Sequence, residues 1–266
     1  MPAQTQILCR LVAAERVIVM KVLAHRGYSG EYPENTMLAF HKAVEAGADG
    51  IELDVHLTRD GELIVFHDDS VERTTDGIGE IRNLSFNELR KLNAAKLFSD
   101  RFGPEKIPAF EEYCQWAKEQ SIVTNVEIKT DNCYYAGIED KTWDMVVKYG
   151  LEDRVIFSSF NHLTLLRLKE ILPAQVQLGA LVLDDGGIRT YPGDYCRMAG
   201  FHAWHPPFVV LNDENIENCR KLGIDINVWT VNKLEDVQKL YAWNCTSVIT
   251  NFPEMAVGWL KQNETK

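Results

Sequence analysis

Apolar residues in this chain gather in short runs, and the stretches between the runs carry apolar residues at helical spacing. The runs at 21–25, 49–56, 122–129, 154–159, 176–182, 201–204, 225–230 and 247–251 read as strands. The intervening stretches predict helices over 35–46, 110–119, 138–149, 162–172, 213–222 and 233–242, with a last helix from Pro253. In the first of these, Met37, Leu38, Phe40, Ala43 and Val44 form the buried stripe and Asn35 is placed as the cap. The second strand continues through an Asp60-Gly61 turn into a further apolar run at 63–67. Two stretches break the rhythm. Residues 70–109 carry Thr-Thr-Asp-Gly, the short helix signal SFNELRKLN and FGPEKIP. That is long for a plain loop in a compact domain, and it reads as an insertion capping one side of a site mouth. Residues 184–200, rich in Gly, Asp and Tyr, read as irregular. Eight strand–helix steps predict an α/β chain, a (β/α)₈ TIM barrel with a small insertion after strand 2, whose site lies at the strand C-terminal ends.

Polar residues fall where those apolar runs end. In Gly50–Leu57, Ile51, Leu53, Val55 and Leu57 alternate with Glu52, Asp54 and His56, so one face is aliphatic and the other carries two carboxylates and an imidazole. This is either an edge strand with a solvated face or a sheet strand whose acidic face points into a cleft. The apolar runs on both sides favour the second. Carboxylates at i and i+2 repel unless a cation lies between them, and hard oxygen ligands suit Mg²⁺ or Ca²⁺, with Mn²⁺ a third candidate. His25 closes the run Val22–Ala24, and His67 closes the run Leu63–Phe66. One histidine at a strand end is usually structural; two flanking a carboxylate pair point to acid–base chemistry. Arg26 offers a fork of donors to a phosphate, or pairs with Glu34 or Glu52. In the run Ile122–Thr130, Glu127 is placed as a third carboxylate and Lys129 as a second cation, unless they pair only with each other. Trp229 shares a face with Asn227, as an apolar wall for a ligand or as barrel packing. His202 and Trp204 are candidate lining residues at the most.

Length and composition fit one domain. The chain has 266 residues, 45% of them hydrophobic, enough for a single large core. Its net charge of −11 with no long basic run argues against a nucleic-acid partner. An anionic small molecule remains compatible, because a metal and local cations set the field within a cleft. Cysteines at 9, 114, 133, 196, 219 and 245 show no metal-ligand spacing and read as free thiols of a reducing compartment. Arg10, Glu15 and Arg16 interrupt the N-terminal apolar stretch, so it does not read as a secretory signal, and the expected location is cytoplasmic. No segment is long and apolar enough for stable membrane insertion. Residues 1–19 read as an N-terminal extension of unclear status and 20–266 as the barrel domain; nothing specifies an oligomeric state.

The motifs HRG, PENT, ELDVHLTRDGELIVFHDD, VEIK and VWTVN follow one another in the order found in the glycerophosphodiester phosphodiesterase family, which the chain resembles from about Val22 to about Pro253. The resemblance implies a TIM barrel with one divalent cation held by Glu52, Asp54 and Glu127. It matches His25 and His67 to the catalytic histidines, and Arg26 and Lys129 to the phosphate-binding cations. It implies hydrolysis of a small glycerophosphodiester to sn-glycerol 3-phosphate and an alcohol. Two positions depart from the pattern. Asn251 stands where the family usually has aspartate, which bears on a hydrogen bond beside the site. His56 stands where glutamine or another polar residue is frequent. Rival readings are a lysophospholipase D-like activity on lysophospholipids, which exposed apolar residues around the mouth would favour, and a barrel that binds glycerophosphodiesters without cutting them.

Overall fold

The computed structural model describes residues 19–183 and 190–263. The extension expected at 1–19 lies outside the described residues, Val19 apart. β1 (Lys21–His25) leads through α1 (Met37–Glu45) to β2 (Gly50–Leu57), which doubles back into the short β3 (Leu63–Val65). Residues 66–109 hold one short α-helix, α2 (Phe86–Leu89), and two single 3₁₀ turns, Ile81–Asn83 and Lys96–Phe98. The alternation then resumes with α3 (Phe110–Ala117), β4 (Val123–Ile128), α4 (Ile138–Tyr149), β5 (Val155–Ser159), α5 (His162–Ile171) and β6 (Gln177–Leu181). It closes with α6 (Pro192–Ala199), β7 (Ala203–His205), α7 (Asp213–Leu222), β8 (Asp225–Val228), α8 (Leu234–Ala242), β9 (Ser247–Thr250) and α9 (Pro253–Asn263).

The strands are ordered β1-β9-β8-β7-β6-β5-β4-β2-β3, and a further β1–β2 pairing closes the ring. Every pairing in the ring is parallel; only β3 runs antiparallel, to β2. This is the expected (β/α)₈ barrel. β2 lies between β1 and β4, so its acidic face is no solvated edge. The period-two pattern does the sorting. Val22, Ala24, Ile51, Leu53, Val55, Val126, Ile128, Phe157, Leu178, Ala180, Trp204, Ile226, Val228 and Val248 join one apolar layer with the helices. The alternate positions point inward and include Glu52, Asn125, Ser158, His205, Asn227 and Ser247, an unusually polar interior for this fold.

Residues 66–109 share a small separate core with Ile64 of β3, in which Phe66, Val71, Ile81, Leu89, Ala94 and Ile107 are buried together with it. Ser85 and Glu88 cap α2 reciprocally, which is why so short a helix forms. Arg101 pairs with Glu31 at 3.0 Å and the Phe102 ring lies 5.3 Å from Tyr32, tying this segment to the β1–α1 loop.

Three expectations are corrected. The cap of α1 is Thr36, whose hydroxyl accepts from Ala39 N, and not Asn35, which has a left-handed φ of 54°. The stretch expected to be irregular contains α6; Pro192 and Gly193 in its first turn hide the helical signal, and Gly193 N instead bonds Asn218 of α7 at 2.7 Å. Trp204 faces the helices, fully buried, and His202 precedes β7, bonded to Leu178 N and Ala174 O, so neither lines the mouth.

Candidate active site

The turn after β1 sets the first group. Arg26 and Gly27 both take positive φ, 55° and 78°, and a Cβ at Gly27 would lie 2.7 Å from the Ala39 carbonyl carbon. Only glycine fits there. The turn leaves Arg26 N donating to Glu52 Oε2 at 3.0 Å and brings the guanidinium to Glu34 Oε1 at 2.9 Å and Asp54 Oδ2 at 3.6 Å. His25 ends β1 beside Glu52, with its Nε2 3.9 Å from Glu52 Oε2. On the other side, Phe66 N bonds Asp54 O at 3.0 Å, which carries the β3 end, and with it His67, to the top of β2.

Glu52 and Asp54 from β2 meet Glu127 from β4, the register setting Asp54 beside Glu127. All three are buried, and one carboxylate oxygen of each lies within 4.8 Å of the others. Lys129 Nζ donates to Glu127 Oε1 at 2.7 Å and stands 4.0 Å from Asp54 Oδ1. Asn35, in its left-handed turn, donates to Asp54 Oδ2 at 2.9 Å. Among the described residues, Asp54 Oδ1 has no hydrogen-bond partner.

The electrostatics are unbalanced by design of the strand pattern. Burial, with Asp54 and Glu127 close by, pushes the Glu52 carboxyl well above its usual range. Burial, offset in part by Lys129, raises Glu127 as well. Burial also works against the charged form of Asp54, but the charges of His67, Arg26 and Lys129 hold its carboxyl low. Two cations do not neutralise three buried carboxylates that also repel one another. Convergent hard oxygens, with Asp54 Oδ1 unpartnered, fit a divalent cation.

The two imidazoles have different partners. His25 Nδ1 bonds Asn251 Oδ1 at 2.6 Å; an amide oxygen only accepts, so Nδ1 carries the proton and Nε2 presents its lone pair. Burial and the adjacent Arg26 charge push His25 down to about 3. His67 Nδ1 bonds Asp68 Oδ1 at 2.6 Å. Burial raises Asp68, but hydrogen bonds from His67 and Arg73 outweigh it and keep that carboxyl low. His56, fully buried and pushed by burial to about 4, donates from Nε2 to His67 O at 3.2 Å and accepts from the Tyr135 hydroxyl at 3.1 Å. It buttresses the His67 main chain. Trp229, one residue past β8 and half-buried, donates to His205 O at 2.9 Å and meets Phe160 edge-on at 5.6 Å. Lys129 Nζ lies 5.8 Å from the centre of the Phe160 ring, so Trp229 reaches the site through that aromatic floor.

The structure thus brings together His25, Arg26, Glu52, Asp54, His67, Glu127 and Lys129, with Trp229 at their edge. The pairings weighed for Arg26 and Lys129 are present, Arg26 with Glu34 and Lys129 with Glu127, and each cation also borders Asp54. Sequence reasoning missed Asn35 as a partner of Asp54, and Asp68 and Arg73 as partners behind His67. Asn35 reads as a helix cap, and Arg73 lies in a stretch without periodicity.

Fold and site together define a (β/α)₈ barrel with an acidic, cation-competent centre at its strand C-terminal ends. The model of the Glycerophosphoryl diester phosphodiesterase family matches residues 25–255. A glycerophosphodiester phosphodiesterase of Caldanaerobacter subterraneus subsp. tengcongensis is 37% identical over 241 residues, 91% of this chain and 98% of that protein. Among solved structures, the glycerophosphodiester phosphodiesterase of Thermotoga maritima superposes with a TM-score of 0.72 at 30% identity, covering 91% of this chain and 98% of that one. A phosphodiesterase of Oleispira antarctica, in complex with the product sn-glycerol-3-phosphate, gives a TM-score of 0.79 at 26% identity, covering 92% and 97%. The chain belongs to the glycerophosphodiester phosphodiesterase family, and it is a phosphoric diester hydrolase.

Proposed function

We propose that this enzyme hydrolyses glycerophosphodiesters to sn-glycerol 3-phosphate and an alcohol, using a divalent cation held by Glu52, Asp54 and Glu127. The observation that carries the reading is the convergence of two histidines and two cations on that buried acidic triad. When bound, the cation supplies Lewis-acid polarisation of a phosphate oxygen. Arg26 and Lys129 hold the phosphate and offset the charge that grows on it. His25, neutral and with Nε2 free, takes the proton of the attacking oxygen, either water or the glycerol 2-hydroxyl; in the second case water then opens the cyclic phosphate to give sn-glycerol 3-phosphate. His67 delivers a proton to the leaving alcohol as its bond to phosphorus breaks. The hydrogen-bond partners support this division: a neutral amide behind His25 suits a base, and an ionised carboxylate behind His67 suits an imidazolium donor. Trp229 and Phe160 form an apolar wall beside the glycerol.

The test is glycerol 3-phosphate release from glycerophosphocholine and glycerophosphoethanolamine, with EDTA and then with Mg²⁺, Ca²⁺ or Mn²⁺ restored. Release abolished by EDTA and restored by one ion is expected. Release indifferent to EDTA would overturn the cation site. A second substrate class is supported by Tyr134, Leu183, Tyr191 and Val209, exposed on the loops after β4, β6 and β7. A lysophospholipid could place its acyl chain there, so turnover of lysophosphatidylcholine belongs in the same assay.

A further inference from the structure

Arg26 and His67 hang from the ends of different strands, β1 and β3, and their tips are joined through side chains. Arg73, five residues beyond Asp68 in the 66–109 segment, bonds both sides. Its Nη1 and Nη2 donate to Glu34 Oε2 and Oε1 at 2.8 and 2.7 Å. Its Nε and Nη2 donate to Asp68 Oδ2 and Oδ1 at 2.5 and 3.1 Å. Each carboxylate passes the contact on: Glu34 Oε1 accepts from Arg26 Nη1 at 2.9 Å, and Asp68 Oδ1 from His67 Nδ1 at 2.6 Å. Arg26, Glu34, Arg73, Asp68 and His67 therefore form one unbroken chain across the mouth.

The geometry uses what only arginine has. A planar fork engages two carboxylates at once, each through both oxygens, which an ammonium cannot do. The Arg73 side chain is 43% exposed, so solvent screens the charge of these pairs. What a rigid double fork contributes instead is position.

We propose that Arg73 is a positioning residue. It sets the imidazole of His67 against the phosphate held by Arg26, so that the proton reaches the leaving oxygen. The inference rests on His67 as the proton donor to the leaving alcohol.

The experiment compares Arg73→Gln, Arg73→Lys and His67→Ala on two esters of glycerol 3-phosphate, one with choline and one with p-nitrophenol. Choline leaves only when protonated; p-nitrophenolate leaves without a proton. With His67→Ala, loss confined to the choline ester is expected. With Arg73→Gln, kcat on the choline ester should fall on the order of tenfold to a hundredfold, the range for partners behind a catalytic group. KM should hold, kcat on the p-nitrophenyl ester should be nearly unchanged, and Arg73→Lys should recover part of the loss. Equal losses on both esters in Arg73→Gln, or no loss, while His67→Ala is selective, would overturn the role of Arg73. A His67→Ala variant equally slow on both would overturn the donor assignment, and this inference with it.

Discussion

Asn251 holds His25 through a single short hydrogen bond, and that bond decides which ring nitrogen is free. Removing it frees the ring to rotate and to exchange tautomers, without touching the acidic triad. Asn251→Ala should lower kcat on the order of tenfold with KM nearly unchanged, as for other outer partners of catalytic groups. Steady-state kinetics on glycerophosphocholine checks this; an unaltered kcat would mean that burial alone orients His25. At this scale the chain is legible where a polar residue interrupts an apolar run. Glu52, Asp54, His25, His67, Glu127 and Lys129 stand out for that reason, since a charge at a buried position needs a partner. Residues whose work depends on loop geometry give no such signal. Asn35 and Thr36 both suit a cap, and Thr36 takes it because Asn35 accepts the left-handed turn that aims its amide at Asp54.

Strands and helices were readable to within a few residues, because period two and helical spacing alternate cleanly. The exceptions are physical. Proline and glycine in its first turn conceal α6, and β7 is too short to show alternation. β7 matters because it carries His205 into the barrel interior. A Cβ at Gly179 of β6 would overlap the His205 imidazole, so the two strands are matched to each other. His205 Nε2 accepts from Asn227 Nδ2 at 2.8 Å, while Asn227 Oδ1 accepts from Ser247 at 2.7 Å. A second proton on that ring would face a donor, and burial pushes the group down to about 3. The unfolded chain binds that proton with a pKa of about 6.5, so stability is full above it and is lost as pH falls towards 3. Between pH 7 and pH 5 the loss from His205 is about 2 kcal/mol. Urea unfolding at the two pH values should show it, and His205→Gln should show a shallower decline. An identical decline in the variant would clear His205.

The whole molecule carries a net charge of −11, and part of that excess is concentrated in the buried triad. A divalent ion that binds only the folded state stabilises it by mass action. At a hundredfold excess over Kd, Tm should rise by roughly 5–10 °C for a domain of this size. Glu52→Gln should leave the metal-free Tm equal or higher, because the burial and neighbouring carboxylates that disfavour a charge there no longer count against the side chain, and should abolish most of the rise. A thermal melt unmoved by Mg²⁺, Ca²⁺ and Mn²⁺ alike would count against the cation site.

Closure of the ring between β1 and β2 has a further consequence. It lets residues 25–129 assemble the whole charged centre on three adjacent strands and one hairpin. The later strands contribute orientation and walls, through Asn251, Phe160 and Trp229. The charged side chains and the groups packed around them therefore come from different stretches of the chain. A substitution in the loops after β5 or β8 can therefore reshape the aromatic floor beside Lys129 without replacing any charged side chain of the centre.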